Sequence, residues 1–200
     1  MRRRDVMAAA GLAGAGLGLP AAARAQGGTA PVQGGRLIIE VGDAQGRPKG
    51  APVVIELLPE LAPRHVERIR TLANRGFYNG TPFHRVIEGF MAQGGDQTGT
   101  GTGGSAQTGL PDLPAEFTPP NRARFLRGTV GMARSQNPNS ANSQFFIMFA
   151  PSSGLDGQYT IFGRVVSGME TVDQIKRGDQ ARNGAVTQPD RILRARVEPA

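Results

Sequence analysis

Residues 82–96 read PFHRVIEGFMAQGGD. Two runs, TPFHRVI (81–87) and GFMAQGG (89–95), lie on either side of Glu88. Aromatic and β-branched residues bounded by Gly and Pro read as short β-strands. The same pattern continues downstream in RGTVGMA (127–133), SQFFIMFA (143–150), YTIFGRVV (159–166) and RILRARVE (191–198). Upstream, RLIIEV (36–41) and APVVIELL (51–58) are separated by GDAQGRPKG, a hairpin with a long turn. Two helices interrupt the strands. Around 62–75, Val66, Ile69, Leu72 and Ala73 recur at helical spacing, Pro63 fits a first turn and Gly76 supplies a stop. Around 169–175, Met169, Val172 and Ile175 mark a shorter one. Short strands and Gly-rich turns predict a mainly β domain, an antiparallel barrel or sandwich, with two helices able to close open ends.

The opening stretch also has the character of a site. Arg85 and Gln93 stand beside Phe90 and Met91, with no nucleophile, carboxylate pair or metal cluster among them. The chain holds two histidines. His65 is expected on the surface of the first helix, and His84 is expected to make a structural hydrogen bond. Gly99 to Gly104 fits G-x-G-x-x-G as text, but no helix pattern follows, so a flexible loop is expected in place of a dinucleotide site. Neither G-x-x-x-x-G-K-[ST] nor G-x-S-x-G occurs.

The formal net charge is +7, with no cysteine. That excludes disulfides, thiolate metal sites and cysteine catalysis, and it suits an oxidising compartment. The chain opens MRRRDVMAAAGLAGAGLGLPAAARAQ. A basic start, a weakly apolar run and Ala23-Arg24-Ala25 have the order of a cleavable export signal over 1–25. Arg3-Arg4-Asp5-Val6-Met7 resembles the twin-arginine motif, with the general secretory route as the alternative. Cleavage would remove Arg2, Arg3, Arg4, Arg24 and Asp5, which lowers the net charge to +4. The remaining arginines form no basic stripe, so no nucleic-acid partner is expected. The apolar run is Gly-rich and broken by Pro20, so no lasting membrane insertion is expected. Residues 26–35 are a Gly-rich flexible spacer, and 36–200 form one domain.

Three blocks in order resemble the cyclophilins: FHRVIEGFMAQGGD, GMARSQNPNSANSQFFIMF and LDGQYTIFGRVVSGM. The similarity runs from about Gly35 to the C-terminus and is nearest to bacterial, exported forms. It implies a closed eight-stranded antiparallel β-barrel capped by two α-helices. The implied activity is peptidyl-prolyl cis–trans isomerisation of proline-containing polypeptides, without cofactor or metal, by a monomer in the periplasm or outside the cell. By position, Arg85 matches the catalytic arginine. Phe90, Met91, Phe146 and Leu155 match the walls of the proline pocket. Gln93 and Gln144 match polar positions that contact the substrate backbone. Gly101, Ala133, Arg134 and Ser135 match an adjoining groove, and Tyr159 takes a rim position often held by His. Strand alternation allows only one of Phe145 and Phe146 to face the pocket, and the resemblance selects Phe146. Three departures stand out: Gly154 where many members have Trp, Glu88 for a frequent Pro, and Ser135 for a frequent Ala. Without the indole, cyclosporin-type ligands are expected to bind weakly. The alternative function is a chaperone-like or binding module with this fold and little isomerase activity.

Overall fold

The computed structural model describes residues 34–199. The signal expected over 1–25, and all of the expected spacer but Gly34 and Gly35, lie outside the described residues. Gly35 already pairs with Leu57, so the first strand takes in the end of that spacer. The described residues belong to one compact unit.

All eight expected strands form, in one antiparallel sheet. They are β1 (Gly35–Gly42), β2 (Pro48–Leu57), β3 (Arg85–Ile87), β4 (Met91–Gly94), β5 (Thr129–Met132), β6 (Phe145–Met148), β7 (Ile161–Ser167) and β8 (Arg191–Glu198). Their order is β3-β4-β6-β5-β7-β2-β1-β8. The sheet is a strongly curled half-barrel. Among the described residues no ladder joins its edge strands, β3 and β8, so the expected closed barrel is not formed by pairing of named strands. An isolated bridge between Pro82 and Arg191 crosses the gap. Backbone bonds from Phe83 N–H to Asp190 O and from Ile192 N–H to Thr81 O, each 2.9 Å, accompany it. Pro82 is the non-hydrogen-bonded member of that bridge, so its missing N–H costs the pairing nothing. From His84 onward the outer edge of β3 pairs instead with residues 184–186, through Val86 N–H to Gly184 O at 2.8 Å and Val186 N–H to His84 O at 3.0 Å.

Period-two alternation divides the side chains between two apolar clusters. Phe145, Ile147 and Ala92 join the main core with Leu37, Ile55 and Phe162. Phe146, Met148 and Met91 turn the other way and join Phe125 and Ile161. The second cluster carries the candidate site.

Helix α1 (Pro63–Asn74) buries Val66, Ile69, Leu72 and Ala73 as the spacing predicts. It also buries His65, which is fully inaccessible, and Arg68. The surface position expected for His65 is therefore wrong. The reason lies in residue 116: the Glu116 carboxylate accepts from the Arg64 and His65 backbone N–H groups and from His65 Nδ1, at 3.2, 3.1 and 2.6 Å. Ala62 offers no capping side chain, so a distant carboxylate supplies the acceptors that the first turn needs. Two helices were expected, and among the described residues three α-helices form. Helix α2 (Ser105–Thr108) is a single turn inside the Gly-rich loop, and helix α3 (Met169–Asp173) lies where the second was expected. Among the described residues no helix is long and apolar enough to cross a membrane.

Candidate active site

The hairpin β3–β4 sets Arg85 directly opposite Gln93. Their side chains meet: Arg85 Nη1 donates to Gln93 Oε1 at 3.1 Å. The opposite edge of the guanidinium is held by Asn183, which accepts from Nη2 at its side-chain oxygen (3.0 Å) and from Nε at its carbonyl (3.1 Å). Asn183 adopts φ 54°, a left-handed conformation that Asn tolerates better than most residues. Three of the five N–H donors are thus committed, and the guanidinium plane is fixed with donors left over. Burial pushes the Arg85 pKa down, with the nearby Tyr159 opposing, yet an arginine keeps its charge at any working pH.

Arg85 borders a cavity of about 170 Å³. Phe90, Met91, Phe146 and Leu155 wall it, Gln93 joins Arg85 on the polar side, and Ala133, Arg134 and Tyr159 form the rim. Phe146 stacks on Phe125 at 5.6 Å between ring centroids and meets Tyr159 edge-on at 5.8 Å. The Arg134 guanidinium lies 4.4 Å over the Tyr159 ring. It also donates to the Gln158 and Ser135 carbonyls at 3.0 and 2.9 Å. The rim is therefore braced from behind as well as shaped in front.

A second, larger cavity of about 460 Å³ adjoins it, sharing Gln93, Ala133 and Arg134. Gly101, Ser135 and Gln144 line this groove. All twelve residues singled out from the sequence therefore line one cavity or the other, and three line both.

The Gly-rich loop is organised around Asp96, which is fully buried. Its Oδ1 accepts from Thr98 N, Thr98 Oγ1 and Gln107 Nε2 at 2.9, 2.8 and 3.0 Å. Its Oδ2 accepts from the Gly101 and Gly103 N–H groups at 2.7 and 3.2 Å. Burial alone would raise its pKa, but these bonds outweigh burial and hold it at about 2. A Cβ on Gly103 would fall 2.2 Å from Asp96 Oδ1, so only glycine lets the loop wrap this closely. His84 sits behind the loop, its Nε2 3.5 Å from where a Cβ on Gly101 would stand. The Pro82 carbonyl is the acceptor offered to the His84 ring, at less than full hydrogen-bond geometry, so the structural bond expected for it is weak. Burial lowers its pKa, against the pull of Asp96.

Asn183, Asp96 and Phe125 were not singled out from the sequence. Asp96 carries a signal in retrospect, a carboxylate between two glycines and a Thr/Gly run. Asn183 lies 98 residues from Arg85 and carries none.

Residues 38–197 match the family model of the cyclophilin type peptidyl-prolyl cis-trans isomerases. A probable peptidyl-prolyl cis-trans isomerase of Brucella suis is 56% identical over 161 residues, covering 75% of this chain and 79% of that protein. A peptidyl-prolyl cis-trans isomerase-like 1 protein of Gibberella zeae is 42% identical over 148 residues, covering 72% and 88%. Among solved structures, a cyclophilin type isomerase of Cryptosporidium parvum, crystallised in the presence of the dipeptide Ala-Pro, aligns with a TM-score of 0.70. It is 28% identical, and the alignment covers 82% of this chain and 99% of that one. With the family model spanning most of the chain, the protein belongs to the cyclophilin type peptidyl-prolyl cis-trans isomerases.

Proposed function

We propose that Arg85 is the catalytic group and that the apolar cavity beside it holds the ring of a substrate proline. The observation that carries this reading is a guanidinium held by Gln93 on one side and by Asn183 on the other, facing a cavity walled by Phe90, Met91, Phe146 and Leu155. The X–Pro amide resists rotation because resonance gives its C–N bond double-bond character, with a barrier of about 18–20 kcal/mol. No covalent bond has to break, so no nucleophile is needed. The prolyl nitrogen accepts little hydrogen bonding while planar and more when it pyramidalises at the twisted transition state. A donor aimed at it therefore stabilises the transition state selectively. The walls hold the ring while the acyl side turns, and they exclude water, which strengthens the Arg85 contact.

Magnitudes divide the work. Bringing an event of about 100 s to about 1 ms is a factor of roughly 10⁵, or about 7 kcal/mol. One charge-assisted hydrogen bond is worth about 1.5–3 kcal/mol net. Arg85 is thus the largest single term, with positioning and desolvation supplying the remainder. Arg85→Ala is expected to lower the isomerisation rate of an X–Pro peptide by about 10- to 100-fold. Equal rates for the two proteins would overturn the mechanism.

The substrates on this reading are proline-containing segments of exported polypeptides, and the protein works as a monomer after losing residues 1–25. The ordered basic, apolar and Ala-Arg-Ala segments support export, and the two arginines at 3 and 4 support the twin-arginine route. With Arg3 and Arg4 changed to Lys, cell fractionation should find the uncleaved chain in the cytoplasm. Undiminished export would rule out that route.

A further inference from the structure

Arg85 and Asp96 are the two ends of one hydrogen-bonded chain. Arg85 Nη1 donates to Gln93 Oε1 at 3.1 Å. Gln93 Nε2 donates to Gln144 Oε1 at 3.0 Å. Gln144 Nε2 donates to the carbonyls of Gly101 and Gly103 at 3.0 and 2.7 Å. The N–H groups of those same two glycines donate to Asp96 Oδ2. Every donor points from the cation toward the anion.

That direction is forced from both ends. A guanidinium is donor-only, so Gln93 must turn its oxygen to Arg85 and its NH₂ to Gln144. Gln144 must then present its oxygen to Gln93 and its NH₂ to the loop carbonyls. A carboxylate is acceptor-only, so the loop must turn its N–H groups to Asp96. Neither amide can flip without setting donor against donor or acceptor against acceptor. Aligned bonds of this kind also polarise one another. The middle members, Gln93, Gln144, Gly101 and Gly103, form a wall of the larger groove.

From this geometry we infer that Asp96 is a positioning residue for the isomerisation, acting on Arg85 through Gln144 and Gln93. The inference rests on the reading of Arg85 as the catalytic group. Asp96 is too deeply buried to meet substrate. Its role is to hold the loop in the one polarity that keeps both glutamines, and hence the guanidinium, in a single orientation. Asn at position 96 keeps the size but offers one acceptor atom where the carboxylate offers two. Its oxygen can satisfy the Thr98 and Gln107 donors only by turning its NH₂ toward the Gly101 and Gly103 N–H groups.

The test compares wild type, Asp96→Asn and Gln107→Ala in two-site exchange of an X–Pro peptide, with kcat read at saturation and KM from titration. Gln107 donates to Asp96 Oδ1 but stands outside the chain of donors, so Gln107→Ala loosens the loop without breaking the relay. Asp96→Asn is expected to lower kcat by about 10- to 100-fold with KM changed less than about threefold, while Gln107→Ala keeps kcat within about twofold. A folded Asp96→Asn protein with wild-type kcat would overturn the inference, and so would equal losses in both variants. If Asp96→Asn does not fold, Gln144→Met breaks the relay with Asp96 in place. The same kcat loss with KM changed less than about threefold then supports the inference, whereas an unchanged kcat, or a loss carried by KM as a lost substrate contact would give, overturns it. Arg85→Ala, run alongside, separates the two levels. If it is slow while the relay variants are fast, only the relay is wrong. If it is itself fast, the catalytic reading fails and the relay falls with it.

Discussion

Gly154 directly precedes Leu155, a wall of the smaller cavity. It stands where many cyclophilins carry Trp. A Cβ built there would meet nothing within 4 Å, so the position is open space. On the proposed reading of the smaller cavity as a proline pocket, glycine here leaves out an aromatic wall and an indole donor. The natural protein should bind cyclosporin-type ligands weakly while still turning over small X–Pro peptides. Gly154→Trp should fold normally and bind such a ligand about tenfold more tightly, roughly the 1.4 kcal/mol that one well-placed aromatic supplies. The chain has no Trp of its own, so the new indole reports the titration directly. Nanomolar binding by the unmodified protein would contradict this view of Gly154. The same neighbourhood shows why much of the site was legible. The Arg85–Gln93 pair, Phe90 and Met91 lie within nine residues of one another, on two strands and the short turn that forces them together. Phe146 and Leu155 came from motif resemblance, since no local pattern separates a pocket wall from ordinary core. Asn183 was invisible because its contact with Arg85 depends on a left-handed turn and on tertiary placement.

Among the elements, strands were more legible than their pairing. Each β-type run became a strand because period-two burial is written in the residues: Phe145 and Ile147 face one cluster while Phe146 and Met148 face the other. The order β3-β4-β6-β5-β7-β2-β1-β8 is not written that way, since it follows from which runs meet across long loops. Once the order is known, the surface explains itself. Glu198, Arg36, Glu56 and Arg164 stand side by side across β8, β1, β2 and β7, with charges that alternate. Arg164 Nη2 reaches Glu56 at 2.7 Å. Each such pair is worth about 0.2–1 kcal/mol, and a one-residue slip would set these charges against apolar neighbours. The row therefore specifies register more than it adds stability. The difference between a closed barrel and the half-barrel also lives at this scale. The outer edge of β3 pairs with residues 184–186 and not with β8, a tertiary fact that the strand count does not reveal. Helix α1 shows the converse: its apolar spacing was readable, but the burial of His65 depended on Glu116, 51 residues away.

For the whole molecule, these buried histidines give folding a dependence on acidity. His65 and His84 are the only histidines in the chain, and both are buried. Burial lowers the pKa of each below its ordinary 6.5. For His65, the bond and charge of Glu116 oppose that shift, while Arg68 and Arg64 add to it. For His84, Asp96 and the Pro82 carbonyl oppose it and Arg85 adds to it. In the unfolded chain both rings take up a proton near pH 6.5, whereas in the folded chain they resist it. Below pH 6.5 the unfolded state therefore binds more protons, and stability falls as pH falls. The full stability is present above pH 6.5. Each histidine removes at most about 1.4 kcal/mol per pH unit within its window. A second window opens lower, because Asp96 is held at about 2 against an ordinary 3.8 and loses its stabilising charge as pH falls between those values. Urea unfolding at pH 7.5, 6.5, 5.5 and 4.5 should show a midpoint steady down to about 6.5 and falling below it, with the slope m unchanged. Self-repulsion of a basic protein also grows as pH falls, but it acts on every variant alike. His84→Gln removes one titrating ring, so its decline between pH 6.5 and 4.5 should be shallower than that of the wild type. A wild-type midpoint that stays level from pH 7.5 to 4.5 would show that the two rings are protonated as easily in the folded chain as in water.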